Sequence, residues 1–318
     1  MSTSKKPVAA AIALLEHLSH RYAREWAIRD INLAIPARGV LGLLGSNGAG
    51  KSTTMNILCG VINQTEGEVY IDGIDLRKHP VEAKRCLGFL PQKAPLYPEL
   101  TVDEYLRYCA SLRDVPKAAI GRAVEAVKAQ CGLAAHGRRL LANLSGGYQQ
   151  RVGIAQAIIH SPKLVVLDEP ANGLDPNQIQ EVRKLIRQLA EERAVILSTH
   201  ILSEVQATCD RIAMIERGRI VFDDTLSAFD NHVAPNSFIA VLAHPPATLE
   251  ALRIPDIIAI EQVDPHRFRC RFVGGSDITA AFIARAVAAG WGLTELYLEK
   301  TSLDGIFYQL SKQAAQDH

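Results

Sequence analysis

Two glycine-rich stretches, GSNGAGKST at 45–53 and LSGGYQQR at 144–151, contain the residue types best suited to phosphate chemistry. In the first, Gly45, Gly50, Lys51 and Ser52 match the spacing G-x-x-x-x-G-K-S. Glycines let the backbone wrap tightly, so that its N–H groups and the following helix N-terminus aim at phosphate oxygens. Lys51 suits the charge between outer phosphates, and the Ser52 hydroxyl suits magnesium. Ser46, Asn47, Gly48, Ala49 and Thr53 complete the candidate cradle. In LVVLDEP (164–170), four apolar residues bury a strand, and its C-terminal end presents Asp168 and Glu169. Asp168 suits a magnesium ion; Glu169 suits a general base for the attacking water.

The elements that must position these groups follow from the spacing of apolar residues. GVLGLLG (39–45) reads as a buried strand leading into the loop, and KSTTMNILCGVI as the helix after it. GEVYIDGIDL predicts a hairpin about Asp72-Gly73, and CLGFLPQ a strand stopped by Pro91. From about 100 to 160 the pattern turns helical, with a capping box at Thr101 and Glu104 and a helix from Pro116 to Cys131 closed by Gly132. AVILSTH is a further buried strand. Before it, Ile179, Val182, Leu185, Ile186 and Leu189 give one apolar helix face. RIAMIERGRIVF is a hairpin with Gly218 in its turn. After a linker-like NHVAPNS, the order strand, helix (ATLEALR), strand, strand, helix (ITAAFIARAVAA), strand is the split β-α-β-β-α-β pattern, with SLDGIFYQLSK as a closing helix.

The totals narrow the class. The chain has 318 residues, 48% of them hydrophobic, enough for a real core and for two domains. A net charge of +1 gives no electrostatic reason to expect nucleic acid as a partner. The six cysteines (Cys59, Cys86, Cys109, Cys131, Cys209, Cys270) form no C-x-x-C pair and read as reduced thiols, not as a disulfide or zinc framework. The start, KKPVAAAIALL, has a basic end and an apolar run, but the run is short and leads into EHLSHRY without a small-residue cleavage site, so a first strand is expected. No apolar stretch is long enough to span a bilayer, so a membrane role requires a partner.

The order GSNGAGKST, Gln92, LSGGYQQR, LVVLDEP, GLDP and His200 resembles the ATP-binding subunits of ABC proteins over about residues 8–225. The resemblance implies ATP and Mg2+ as ligands. It also implies a head-to-tail pair of subunits, a homodimer or a pair with a related ATPase subunit, in which Ser145, Gly146 and Gly147 of one chain cap ATP held by the other. It further implies that Tyr22 stacks on adenine and Gln92 touches magnesium and the water. Asp175 would order the subunit interface, and His200 would contact the γ-phosphate. One departure stands out. Tyr148 occupies the place after the glycines where the family has glutamine, and Gln149 comes one position later.

KTSLDGIFYQLS resembles the ending S-L-E-D-V-F-x-x-L-T of ATPase subunits in ABC-2-type exporters, with Asp304 for Glu and Gly305 for Asp. That resemblance implies an integral membrane permease as partner and a cytoplasmic chain, peripheral on the inner face of the cell membrane. The alternative, a soluble non-transport ABC ATPase acting on ribosomes or DNA, calls for tandem ATPase units, a long coiled coil or a zinc site, and the sequence has none of these. The fold class expected is α/β: a P-loop ATPase domain over 1–228, with an antiparallel β subdomain and a helical subdomain. A small C-terminal α+β ferredoxin-like domain over 229–318 is expected to support regulation or dimerisation.

Overall fold

The structure, a computed structural model, describes residues 11–230, 237–273 and 277–299. Most of the linker stretch NHVAPNS and all of the expected closing helix SLDGIFYQLSK lie outside them. The chain divides after Leu226 into two compact units.

Two sheets organise the first unit. One is antiparallel, in the order β2-β1-β4-β5: β1 (Ala11–Tyr22), β2 (Glu25–Pro36), β4 (Glu66–Ile71) and β5 (Ile74–Asp75). The other has six strands in the order β10-β9-β3-β8-β7-β6: β3 (Gly39–Leu44), β6 (Leu87–Leu90), β7 (Leu164–Asp168), β8 (Ala194–Thr199), β9 (Arg211–Glu216) and β10 (Arg219–Thr225). Five of these six are mutually parallel; β10 returns antiparallel on β9. Leu15, Ile31, Ile35 and Val69 of the first sheet share one buried apolar cluster with Leu41, Leu43, Val166 and Ile196 of the second. Burial on both faces explains why β3, β7 and β8 read as continuous apolar runs with no alternation.

Among its described residues this unit also has the helices α1 (Lys51–Leu58), α2 (Pro80–Arg85), α3 (Val102–Leu112), α4 (Lys117–Gln130), α5 (Gly146–Ile158), α6 (Pro176–Ala190) and α7 (Leu202–Thr208). The capping box at α3 is complete: Glu104 accepts from the Thr101 N–H at 2.8 Å, and the Glu104 N–H donates back to the Thr101 hydroxyl at 3.3 Å. α1 is shorter than expected. It ends at Leu58, and the Cys59 N–H closes it on the Met55 carbonyl before Gly60 turns left-handed at φ +63°.

A short helix α8 (Leu226–Asp230) leads into the second unit. Its antiparallel sheet runs β12-β13-β11-β14, with β11 (Ser237–Leu242), β12 (Ile257–Asp264), β13 (Arg267–Phe272) and β14 (Leu293–Glu299), and α9 (Asp277–Ala288) sits between the last two strands in sequence. This strand order is that of a split β-α-β-β-α-β unit. The first expected helix, ATLEALR, is only a 3-10 turn at Leu249–Leu252. Pro245 and Pro246 leave little chain for a longer helix before Pro255 ends the segment. Phe238, Phe268, Phe282 and Trp291 fill the core of this unit.

Candidate nucleotide site

Parallel register brings the chemistry to one edge. Leu44 pairs with Thr199, and Asp168 with Ser198, so β3, β7 and β8 end side by side. Ligands bind at this carboxyl edge in open α/β sheets. The glycine-rich loop runs from Gly45 to Gly50, and α1 opens at Lys51. Gly45 is required by its neighbour: a Cβ there would lie 2.3 Å from the Ile215 carbonyl oxygen of β9. Gly50, at φ +111°, adopts a backbone that side chains avoid. The Lys51 ammonium is buried and donates to the carbonyls of Gly45 (2.8 Å) and Ser46 (3.0 Å). Burial lowers its pKa, and the charges of Glu169, Asp168 and Glu216 work against that shift. Ser52 is exposed at the first turn of α1.

Asp168 closes β7 and is buried, and the Ser198 hydroxyl donates to its Oδ1. Burial raises the Asp168 pKa; the Ser198 hydrogen bond opposes the shift, Glu169 adds to it and Lys51 opposes it. Glu169 follows at φ +47°, an uncommon backbone for a non-glycine residue. Its Oε1 faces the His200 Nδ1 at 3.0 Å, and its Oε2 accepts from the Gln92 and Asn172 amides, each at 3.3 Å. A carboxylate offers about four lone-pair positions. Three donors therefore hold Glu169 in place and leave one position for a water proton. A carboxylate only accepts, so the proton in the His200 contact resides on Nδ1.

The other candidates sit apart from this group. Tyr22 is about half exposed, stands edge-on to His20 at 4.7 Å, and lines an open pocket with Trp26, Gly48 and Arg217. Ser145 is the N-cap of α5, and its hydroxyl makes no capping bond. Gly147 packs against α6, where a Cβ would meet the Gln178 side chain at 2.6 Å; at Gly146 the nearest atom would be 4.0 Å away. Asp175 caps α6 by accepting from the Gln178 N–H at 2.9 Å. Asp175 and Gly147 thus meet at Gln178. Tyr148 lies against the His136 ring at 4.2 Å, with the Arg151 guanidinium 5.3 Å from its ring centre, and the Gln149 amide donates to the Leu141 carbonyl at 3.0 Å. Both residues of the departure therefore face the helical block.

Three site residues carry no sequence signal. Ser198 and Asn172 hold the two carboxylates, and Glu216 accepts the Ser46 hydroxyl at 3.1 Å on each oxygen. Ser52, Gln92 and Asp168 offer hard oxygen donors of the kind magnesium takes when phosphates supply the rest of its shell. Among the described residues, no group of three or more His, Cys, Asp or Glu could hold a metal by itself.

A phosphate loop at the end of β3, a buried aspartate followed by a tethered glutamate, and a histidine at the end of the adjacent strand define a P-loop ATPase. The family profile described as "ABC transporter" matches residues 28–172. Another, described as "AAA domain, putative AbiEii toxin, Type IV TA system", matches 140–205. The lantibiotic transport ATP-binding protein SrtF of Streptococcus pyogenes is 34% identical, covering 68% of this chain and 92% of that protein. The linearmycin resistance ATP-binding protein LnrL of Bacillus subtilis is 26% identical over 95% of this chain and 99% of its own length. A solved structure described as the dimeric, post-hydrolysis state of an ATP-binding cassette bound to ADP and Pi superimposes with a TM-score of 0.61 at 25% identity, covering 67% of this chain and 98% of that one. The chain belongs to the ATP-binding proteins of ABC transporters.

Proposed function

We propose that the protein is the ATP-hydrolysing subunit of an ABC-2-type exporter, acting on a separate integral membrane permease from the cytoplasmic face. Among the described residues no helix is long and apolar enough to cross a membrane, so this reading assigns the pathway to the partner. The relatives whose names specify linearmycin resistance and lantibiotic transport support export. We place the domain boundary at about residue 228 and assign the C-terminal unit a role in regulation or in supporting the dimer.

In this reading ATP lies along the loop from Gly45 to Thr53, with adenine against Tyr22. Lys51 exchanges its carbonyl contacts for phosphate oxygens and balances their charge. Ser52, Asp168 and Gln92 would hold Mg2+, which when bound neutralises charge on the outer phosphates. Glu169 takes a proton from the attacking water as the water oxygen bonds to the γ-phosphorus and the bond to the β–γ bridging oxygen breaks, giving ADP and phosphate. His200, Gln92 and Asn172 fix the orientation of the carboxylate. The Ser145-Gly146-Gly147 turn, exposed at Ser145 and Gly146, approaches the γ-phosphate of a second subunit, its helix end supplying partial positive charge. A homodimer or a related subunit completes both sites; ATP favours the closed pair because it contacts both chains.

The observation that carries this reading is the triple tether on Glu169 beside the buried Asp168. Glu169→Gln is expected to slow hydrolysis by about a hundredfold or more while ATP binding persists and a dimer accumulates with ATP. Steady-state phosphate release and size-exclusion chromatography check both outcomes. An unchanged turnover would remove Glu169 as the base.

A further inference from the structure

Among the described residues, two hairpins have two-residue turns whose central residues both have positive φ. Between β4 and β5 these are Asp72 (φ +52°) and Gly73 (φ +76°); between β9 and β10 they are Arg217 (φ +47°) and Gly218 (φ +77°). Asp-Gly is a favoured pair for such a turn, since a short polar side chain tolerates the left-handed backbone. A long arginine gains nothing there from the turn itself. A non-glycine residue held in that backbone region is a pointer to function.

The second turn is also fixed to the phosphate loop. The Gly218 N–H donates to the Ala49 carbonyl at 2.8 Å, and the Gly218 carbonyl accepts from the Arg29 N–H at 2.8 Å. On its other side, Glu216 receives the Ser46 hydroxyl. Arg217 is exposed between these two attachments and lines the open pocket that also contains Tyr22 and Gly48. Among the described residues its guanidinium has no hydrogen-bond or ion-pair partner. Arg24 and Glu25 line the same pocket from the β1–β2 turn. Neither has such an attachment to the loop.

We propose that Arg217 is a nucleotide-binding residue: its guanidinium takes a phosphate oxygen of the nucleotide held between Tyr22 and Gly48, from the pocket side of the loop. This assignment rests on the ATPase reading above. Charge-assisted contacts of this kind are short and strong, and the planar fork of arginine suits phosphate. The turn fixes the Arg217 backbone beside the loop, so the nucleotide has only the side chain to order.

The test uses the full chain and competition of ATP, ADP and adenosine against a fluorescent ATP analogue. Arg217→Asn removes the cation and installs a residue the turn prefers, so the fold is kept and the melting temperature stays level or rises. The expected result is about tenfold weaker binding of ATP and ADP with no matching loss for adenosine. The KM for ATP rises in step, kcat at saturating ATP stays within about twofold, and Arg217→Lys recovers most of the affinity. If Arg217→Asn binds ATP as the unsubstituted chain does, or if adenosine loses as much as ATP, the assignment is overturned. If the unsubstituted chain binds no ATP at all, the ATPase reading fails, and this inference fails with it.

Discussion

The two glycine-rich turns differ in what their glycines face. In the phosphate loop, neighbouring strands of the same chain close on the first and last glycines: Ile215 on Gly45, and Ile28 and Ala27 on Gly50, while Gly48 between them has open space. Lys51 is tied to two carbonyls of its own loop. In the LSGG turn only Gly147 is packed, against Gln178, while a Cβ at Gly146 would come no nearer than 4.0 Å to a side chain, that of Leu174, and Ser145 is exposed. The first turn is braced at both ends by its own chain. The second keeps an open face at a helix N-terminus, as a surface meant for another molecule's phosphate would. A glycine pair can therefore be read in two ways, and only the neighbours decide which.

Substitutions at the two turns test that contrast, and the largest effect is expected at Ser145. Ser145→Arg should leave ATP affinity within about twofold while hydrolysis falls by a hundredfold or more and the ATP-dependent dimer disappears, since one lost stabilising contact to a developing oxyanion costs that much. Nucleotide binding, light scattering and phosphate release separate the three readouts; retained dimerisation would refute the head-to-tail arrangement. Next comes Gly45→Ala, where a methyl would meet a backbone oxygen that cannot rotate away. A loss of about 3 kcal/mol is expected in urea unfolding. Gly146→Ala is the matched control: it opens α5, has room, and alanine favours helix, so stability should hold or rise by a few tenths of a kcal/mol. Hydrolysis should nonetheless drop about tenfold, because the methyl occupies the face left for the partner. If Gly146→Ala costs as much stability as Gly45→Ala, the contrast between the turns is wrong.

Much of the candidate site could be proposed from residue type because its parts are local. Gly45 to Ser52, Asp168-Glu169 and Ser145 to Gly147 each fit within one turn or strand end, and apolar runs fixed β3, β7 and β8 around them. What could not be read depends on pairing between distant segments. Ser198 reaches Asp168 only because β7 and β8 are parallel in the register Asp168↔Ser198, and a serine in AVILSTH looks like any strand serine. Asn172 and Glu216 acquire their roles the same way, through a loop that returns and a neighbouring strand. In the second unit the succession of strand and helix stretches gives the order of the strands, but ATLEALR has a helical composition and forms a single 3-10 turn, where tertiary context outweighs propensity.

The smallest effect concerns how the helix that follows each turn is held at its far end. After the phosphate loop, α1 ends at Leu58, and just beyond it the Gly60 carbonyl accepts from the Lys84 ammonium at 2.8 Å. After the LSGG turn, α5 ends at Ile158, and just beyond it the His160 Nε2 donates to the Leu87 carbonyl of β6 at 3.0 Å while its buried Nδ1 has no partner among the described residues. Burial, helped by Arg113 and Arg193, pulls the His160 pKa down from 6.5 to about 4. The unfolded chain therefore binds a proton between those values that the folded chain refuses. Stability is intact above about pH 6.5, falls as the pH drops towards 4 with a slope approaching ~1.4 kcal/mol per unit, and levels off below. Asp168 acts in the opposite sense, since its raised pKa favours the folded state as it gains a proton, but it does so in a range extending down to its ordinary value of 3.8. Urea midpoints at pH 7.5, 6 and 5 should show the decline, and His160→Gln, whose amide can still donate to Leu87, should flatten it. A slope unchanged by that substitution would show that the acid sensitivity does not arise at the end of the signature helix.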